Sequence, residues 1–216
     1  MPVDAPRVLI LDFDGVVIES NEVKTCAFEQ VFARFPEHKD EMMGFHHANV
    51  SLGRAEKFRH LQALTHRQGD DRFLADVLGE FSSLVMAEMA KVPFVVGAVD
   101  FLATASRKLP LYLASMTPSS ELAQILEMRS LRRWFRGVYG CPPWNKVDAI
   151  RDIMGIEGIT AQEALFIGDS AGDQRAALST GVPFIARDSG LTFDPPLPLM
   201  FKDLGAISDF LGMGRT

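Results

Sequence analysis

Residues 7–12, RVLILD, form a short run that is apolar at every position between its ends. Such a run suits a parallel strand covered on both faces by helices. Past Ser20 the spacing changes: Val23, Phe28, Val31, Phe32 and Phe35 recur at helical intervals, with Ser20 and Asn21 available as N-caps. From there to about Lys91 the pattern predicts helices, among them 54–67 and 71–91, and offers no further all-apolar strand run. After PFVVG at 93–97 strands and helices alternate. LYLAS at 111–115 is followed by a helix from Ser119 or Ser120, GVYG at 137–140 by one from Lys146, and ALFIG at 164–168 by one over 172–180, before PFIA at 183–186. This alternation predicts a doubly wound parallel α/β sheet. DPPLPL at 194–199 reads as a proline-rich connection, and the adjacent His46 and His47 as part of a loop.

The chain's 216 residues, 47% of them hydrophobic, are enough for one domain carrying a smaller insertion. Net charge is 22 − 28 = −6 with no basic block, which argues against nucleic acid as a partner and leaves a small anionic substrate open. Cys26 and Cys141 lack metal-ligand spacing and read as two reduced thiols, Cys26 as buried filler on the first helix of the insertion. No stretch approaches the roughly eighteen continuous apolar residues of a membrane span, and the start of the chain lacks a signal-peptide pattern. The expectation is a cytoplasmic protein with no membrane partner, its state as monomer or homodimer open.

In a parallel sheet the ligand site lies outside the carboxyl ends of the strands. Those ends carry Asp12, Ser115 and Asp169, and the loop after GVYG leads to Lys146 with Asn145 as its helix cap. Asp12 and Asp14 stand two apart, and like charges about 4 Å apart repel by about 4 kcal/mol at an effective dielectric near 20. A hard divalent cation such as Mg²⁺ would justify them, with Asp12 and Asp169 as oxygen ligands. Hydrolysis of a phosphate ester can be split into two displacements on a carboxylate, with a second carboxylate moving the proton. Ser115 and Lys146 would then bind and neutralise the phosphoryl group. Taken alone, Asp12 and Asp14 with Gly15 read as a turn at a strand end, Lys146 as a solvated lysine and Asp173 as an acid in the first turn of a helix.

LDFDGVV, LYLAS, NK and FIGDSAGD resemble, in this order, the four motifs of the haloacid dehalogenase superfamily of aspartyl-phosphate phosphotransferases. The resemblance implies that Asp12 is the nucleophile and Asp14 the acid and base that also lends its main-chain carbonyl to Mg²⁺. It further implies that Ser115 and Lys146 bind the phosphoryl group, Asp169 ligates the metal and Asp173 acts from its outer shell. Nearly the whole chain is covered: 1–17 with 92–216 would be the catalytic core and 18–91 the helical cap. SLRRWFRGVYG resembles the stretch that precedes the lysine, whereas Val147 stands where relatives often have proline after it.

The function so implied is a Mg²⁺-dependent phosphatase of a small phosphorylated metabolite. The same motifs suit a phosphosugar mutase, which returns the phosphoryl group to its substrate. Phosphonate cleavage would need an imine-forming cap lysine, for which Lys57 is the candidate. A non-catalytic phosphate-binding module lacks both a cap and the second acid, and halide displacement needs neither Asp14 nor a metal. In the cap, Arg54, His47 and Lys57 are the candidates for contacting substrate, with Arg54 in SLGRAEKF first, while Phe32, Phe35, Phe45, Phe58, Phe73 and Phe81 read as core.

Overall fold

The computed structural model describes residues 5–214. The chain forms two compact units: Ser20–Val92 is one, and the residues up to Glu19 together with those from Pro93 onward make the other. Among the described residues no helix is long and apolar enough to cross a membrane.

The second of these units is an α/β sheet of six parallel strands in the order β3-β2-β1-β4-β5-β6. Its strands are β1 (Val8–Leu11), β2 (Leu111–Ser115), β3 (Gly137–Gly140), β4 (Ala164–Gly168), β5 (Phe184–Arg187) and β6 (Leu199–Phe201). The helices α5 (Ala98–Ala105), α6 (Ser119–Met128), α7 (Lys146–Glu157), α8 (Ala171–Thr180) and α9 (Leu204–Phe210) fall between or after them. Every residue of β1, β2 and β4 is buried, as continuous apolar strands covered on both faces should be. One side of the sheet packs Ile10, Tyr112 and Phe166 against Ala149, Ile150 and Ile153 of α7 and Ala176 and Ala177 of α8. The Tyr139 hydroxyl donates to Asp152 at 2.7 Å, which ties β3 to α7.

The chain order reverses at β1, whose neighbours are β2 on one side and β4 on the other, so the switch point of the sheet lies at the end of β1. Leu11 pairs with Leu113 and with Ile167, which brings the ends of the three strands to one level. Beyond β1 the chain makes a tight loop: the Gly15 amide donates to Ile18 at 2.8 Å and the Val17 amide to Phe13 at 2.9 Å. Gly15 has φ +72, a left-handed turn conformation that glycine adopts without steric cost directly after Asp14.

The inserted unit holds four helices, α1 (Asn21–Phe32), α2 (Lys39–Ala48), α3 (Arg54–Leu64) and α4 (Asp71–Met89). Its core is aromatic: the Phe28 ring lies 4.3 Å from that of Phe81 and 5.5 Å from that of Phe58, and Phe32 closes on Phe58 at 5.9 Å. The histidine pair is helical and not in a loop, because Met42 and His46, four apart, bury one face of α2 while His47 stays exposed. Cys26 is exposed, not filler: α1 buries Ala27, Phe28, Val31 and Phe32, and Cys26 falls off that face. Cys141 is half-buried, and both thiols are free. DPPLPL is in part a connection, but its final residue starts β6.

Candidate active site

Four strand-end and helix-start residues of the sheet unit converge. Asp12 follows β1 and donates its amide to Ile167 at 2.9 Å, which carries the ladder one residue past the strand. Lys146 is the first residue of α7 because the Asn145 side chain caps that helix, accepting from the Asp148 amide at 2.9 Å. Its ammonium meets Asp12 Oδ2 at 3.0 Å and also bonds Asp173 Oδ1. Ligand oxygens of Asp12, Asp169 and Asp173 all lie within 4.8 Å of one another, and the three residues are buried.

Asp173 stands at the third position of α8, where its Oδ2 accepts from the Ser170 hydroxyl at 2.6 Å, the Ser170 amide at 3.2 Å and the Asp169 amide at 3.3 Å. A helix-capping role and a site role therefore coincide in one side chain. A Cβ at Gly168 would lie 2.4 Å from the Asp173 Cβ, so glycine there is what lets α8 bring Asp173 against the end of β4.

Electrostatics sharpens this cluster. Burial pushes the Asp12 carboxyl well above the usual carboxylate range; Lys146 opposes the rise, while Asp173, Asp169 and Asp14 add to it. For Lys146, burial pulls the ammonium down but Asp12 and Asp173 outweigh it, and its pKa is raised above that of an ordinary lysine. Asp12 Oδ1 is buried and has no hydrogen-bond partner among the described residues. An orphaned carboxylate oxygen in a buried acidic cluster is costly unless something fills the place. An all-oxygen donor set with excess negative charge fits a hard divalent cation, which Asp12 and Asp169 could hold, while Asp173 already accepts from Lys146 and Ser170.

Asp14 belongs to a second, adjoining group. Its Oδ2 accepts from the Thr117 hydroxyl at 2.8 Å and lies 3.4 Å from Ser115 Oγ, while the Thr117 amide donates to Ser115 Oγ at 3.0 Å. Ser115, at the end of β2, thus stands beside Asp14. Thr117 is 1% exposed and escaped the sequence reading, because a single Thr before Pro118 carries no motif; its place two residues past a strand-end serine was the available signal.

Residues 9–187 match the family model described as haloacid dehalogenase-like hydrolase. The chain belongs to that family. Among curated relatives, phosphoglycolate phosphatase 1 of Pseudomonas aeruginosa is 26% identical over 89% of this chain and 73% of its own length. Two solved structures share the fold. A subfamily IA HAD-superfamily hydrolase of Geobacter sulfurreducens has a TM-score of 0.67 at 22% identity, covering 96% of this chain and 97% of its own. CbbY of Rhodobacter sphaeroides, solved in complex with phosphate, has a TM-score of 0.72 at 19% identity over 96% and 99%.

In this hydrolase the inserted unit holds the three other residues singled out from the sequence. Arg54 donates to Ser82 Oγ at 2.9 Å and lies over the Phe81 ring at 4.9 Å. His47 is exposed. Lys57 is 2% exposed; its ammonium bonds His46 Nδ1 at 3.0 Å and Val50 O at 3.4 Å and lies over the Phe28 ring at 4.9 Å. His46 Nε2 in turn meets Thr25 Oγ1 at 3.1 Å. Lys57 is turned into the core of its unit, with no ion-pair partner among the described residues.

Burial, then the nearby charge of Lys24, lowers Lys57 from 10.5 to about 8, and burial with Lys57 and His47 lowers His46 from 6.5 to about 4. Between pH 8 and 10.5 the unfolded chain binds more protons at Lys57 than the folded one, so stability rises with pH across that window. Below pH 8 the fold carries the whole penalty, on the order of 3 kcal/mol. Lys57→Met removes the charge at similar length, and lost hydrogen bonds to His46 and Val50 offset part of the gain. The expected result is a Tm higher by about 2–6 °C at pH 7 and a flatter rise between pH 8 and 10.5. A Tm below that of the parent at pH 7, or equal slopes in both proteins, would overturn this account.

Proposed function

We propose that this hydrolase is a Mg²⁺-dependent phosphatase acting on a small phosphomonoester, with Asp12 as nucleophile and Asp14 as acid and base. The observation that carries the reading is Asp12: its Oδ1 is buried and without a hydrogen-bond partner among the described residues, its Oδ2 meets Lys146 at 3.0 Å, and its carboxylate clusters with that of Asp169.

In the first displacement an Asp12 oxygen bonds to phosphorus, the ester P–O bond breaks, and Asp14 delivers its proton to the departing oxygen. In the second, Asp14 takes a proton from water, the water oxygen bonds to phosphorus, and the Asp12–phosphorus bond breaks. Orthophosphate leaves and both carboxyl groups regain their starting state. Lys146 compensates charge at the nucleophile, and the Ser115 hydroxyl is available to a phosphoryl oxygen. Thr117 keeps Asp14 aimed by donating to one of its oxygens. Mg²⁺, held by the Asp12 and Asp169 side chains and the Asp14 main-chain carbonyl, would supply the charge that lets a carboxylate approach a phosphate dianion.

The names of the relatives make phosphoglycolate the first ester to try. Selection among leaving groups is proposed to rest with the inserted unit, where Arg54 and His47 are the candidates and Lys57, turned inward, is the less suited. The test is orthophosphate release over a panel of phosphoglycolate, sugar phosphates and nucleotides. Release that requires Mg²⁺ and stops with chelator is the expected result. Isomerised phosphosugar without free phosphate, or no reaction of any ester, would overturn it.

A further inference from the structure

Arg187 is the last residue of β5 and 9% exposed, yet it contacts neither Asp12 nor the acidic cluster by any hydrogen bond or ion pair among the described residues. Its guanidinium reaches the loop that follows the first motif. Nη1 donates to Gly15 O at 3.1 Å and to Glu19 Oε2 at 2.9 Å, Nη2 bonds Glu19 Oε1, and Nε donates to Lys202 O at 3.3 Å. All three nitrogens are used, and the Glu19 pair is bidentate, the geometry in which arginine is not replaceable by a point charge.

A half-buried ion pair adds little net stability over a well-packed apolar pair, so its value here lies in where it holds the chain. Glu19 and Gly15 bracket the loop, and Gly15 directly follows Asp14. Asp12 is fixed independently, by its amide on Ile167 and its carboxylate on Lys146. Asp14 instead takes its aim from the Thr117 hydroxyl on one side and from the loop backbone on the other. We infer that Arg187 is a positioning residue for Asp14, clasping the loop so that the acid stands where the leaving group needs its proton. The inference rests on the phosphatase reading above.

A purely structural role and an aiming role differ in one readout. An aryl ester with a good leaving group departs without help from an acid, whereas an alkyl ester does not. Because kcat/KM reports steps up to the first displacement, it is the constant to compare. Arg187→Met should lower kcat/KM on an alkyl phosphate by about tenfold or more while leaving p-nitrophenyl phosphate within about threefold. Thr117→Val should show the same bias, and Arg187→Lys should recover only part of the loss. Should Arg187→Met not fold, Glu19→Gln keeps the arginine and Gly15 contact but weakens the clasp, and must show the same bias. Equal losses on both esters, or no loss on either, would sink the assignment of Arg187 while leaving the phosphatase intact. Absence of phosphate release by the parent protein from both esters would sink the phosphatase reading, and this inference with it.

Discussion

Asp12→Asn should depress turnover of every phosphomonoester by about 10⁴-fold or more and leave the fold standing. The carboxylate is the atom set that would bond to phosphorus, and an amide oxygen is too weak a nucleophile to replace it. Stability should change little, because the neutral amide escapes the burial penalty that pushes the Asp12 carboxyl upward, and Lys146 keeps its bond to Asp173. A shift in Tm within about 3 °C is expected, together with loss of a phosphoryl label that acid quench traps on the parent. Activity within tenfold of the parent, or a label that persists in the variant, would falsify the assignment of the nucleophile.

Removal of the amine that neutralises this cluster should do harm of a different kind. Lys146, its side chain 10% exposed, stands between Asp12 and Asp173, with Asp169 close by. Lys146→Met leaves three buried carboxyl groups without that cation, and breaking a buried charge group by removing one partner costs about 3–5 kcal/mol. The Tm should fall by on the order of 10 °C, and kcat by about 10³-fold through lost electrostatic stabilisation. If the acids do gather around a divalent cation, Mg²⁺ should recover more of the Tm in the variant than it adds to the parent. An unchanged Tm, or an equal response to Mg²⁺, would show that the ammonium does not carry this load.

The sheet was readable because its strands are buried on both faces: VLIL, LYLAS and ALFIG leave no polar position to blur the run. Their ends were readable for the same reason, since Asp12 and Asp169 each stand out against such a run. β6 was not, because Leu199 and Met200 are exposed at the sheet edge and three residues behind a proline tract make no pattern. α5 and α9 were also missed: each is short, and the apolar AVDFLATA has too narrow a polar face to announce a period. Thr117 and Arg187 make their contacts more than a hundred residues away in sequence, so nothing local marks Arg187, and Thr117 is marked only by its place two residues past Ser115. His46 was hidden by its chemistry: a histidine next to a histidine reads as polar surface, but four residues from Met42 it completes a buried helical face.

One consequence follows from the Glu19 amide, which donates to Pro93 O at 2.9 Å. The inserted helices leave the sheet unit and return to it through a single doorway one hydrogen bond wide. A segment admitted this way can lengthen, shrink or be exchanged over generations without the strands ever losing register. The strand ends and the inserted helices can thus change on separate clocks.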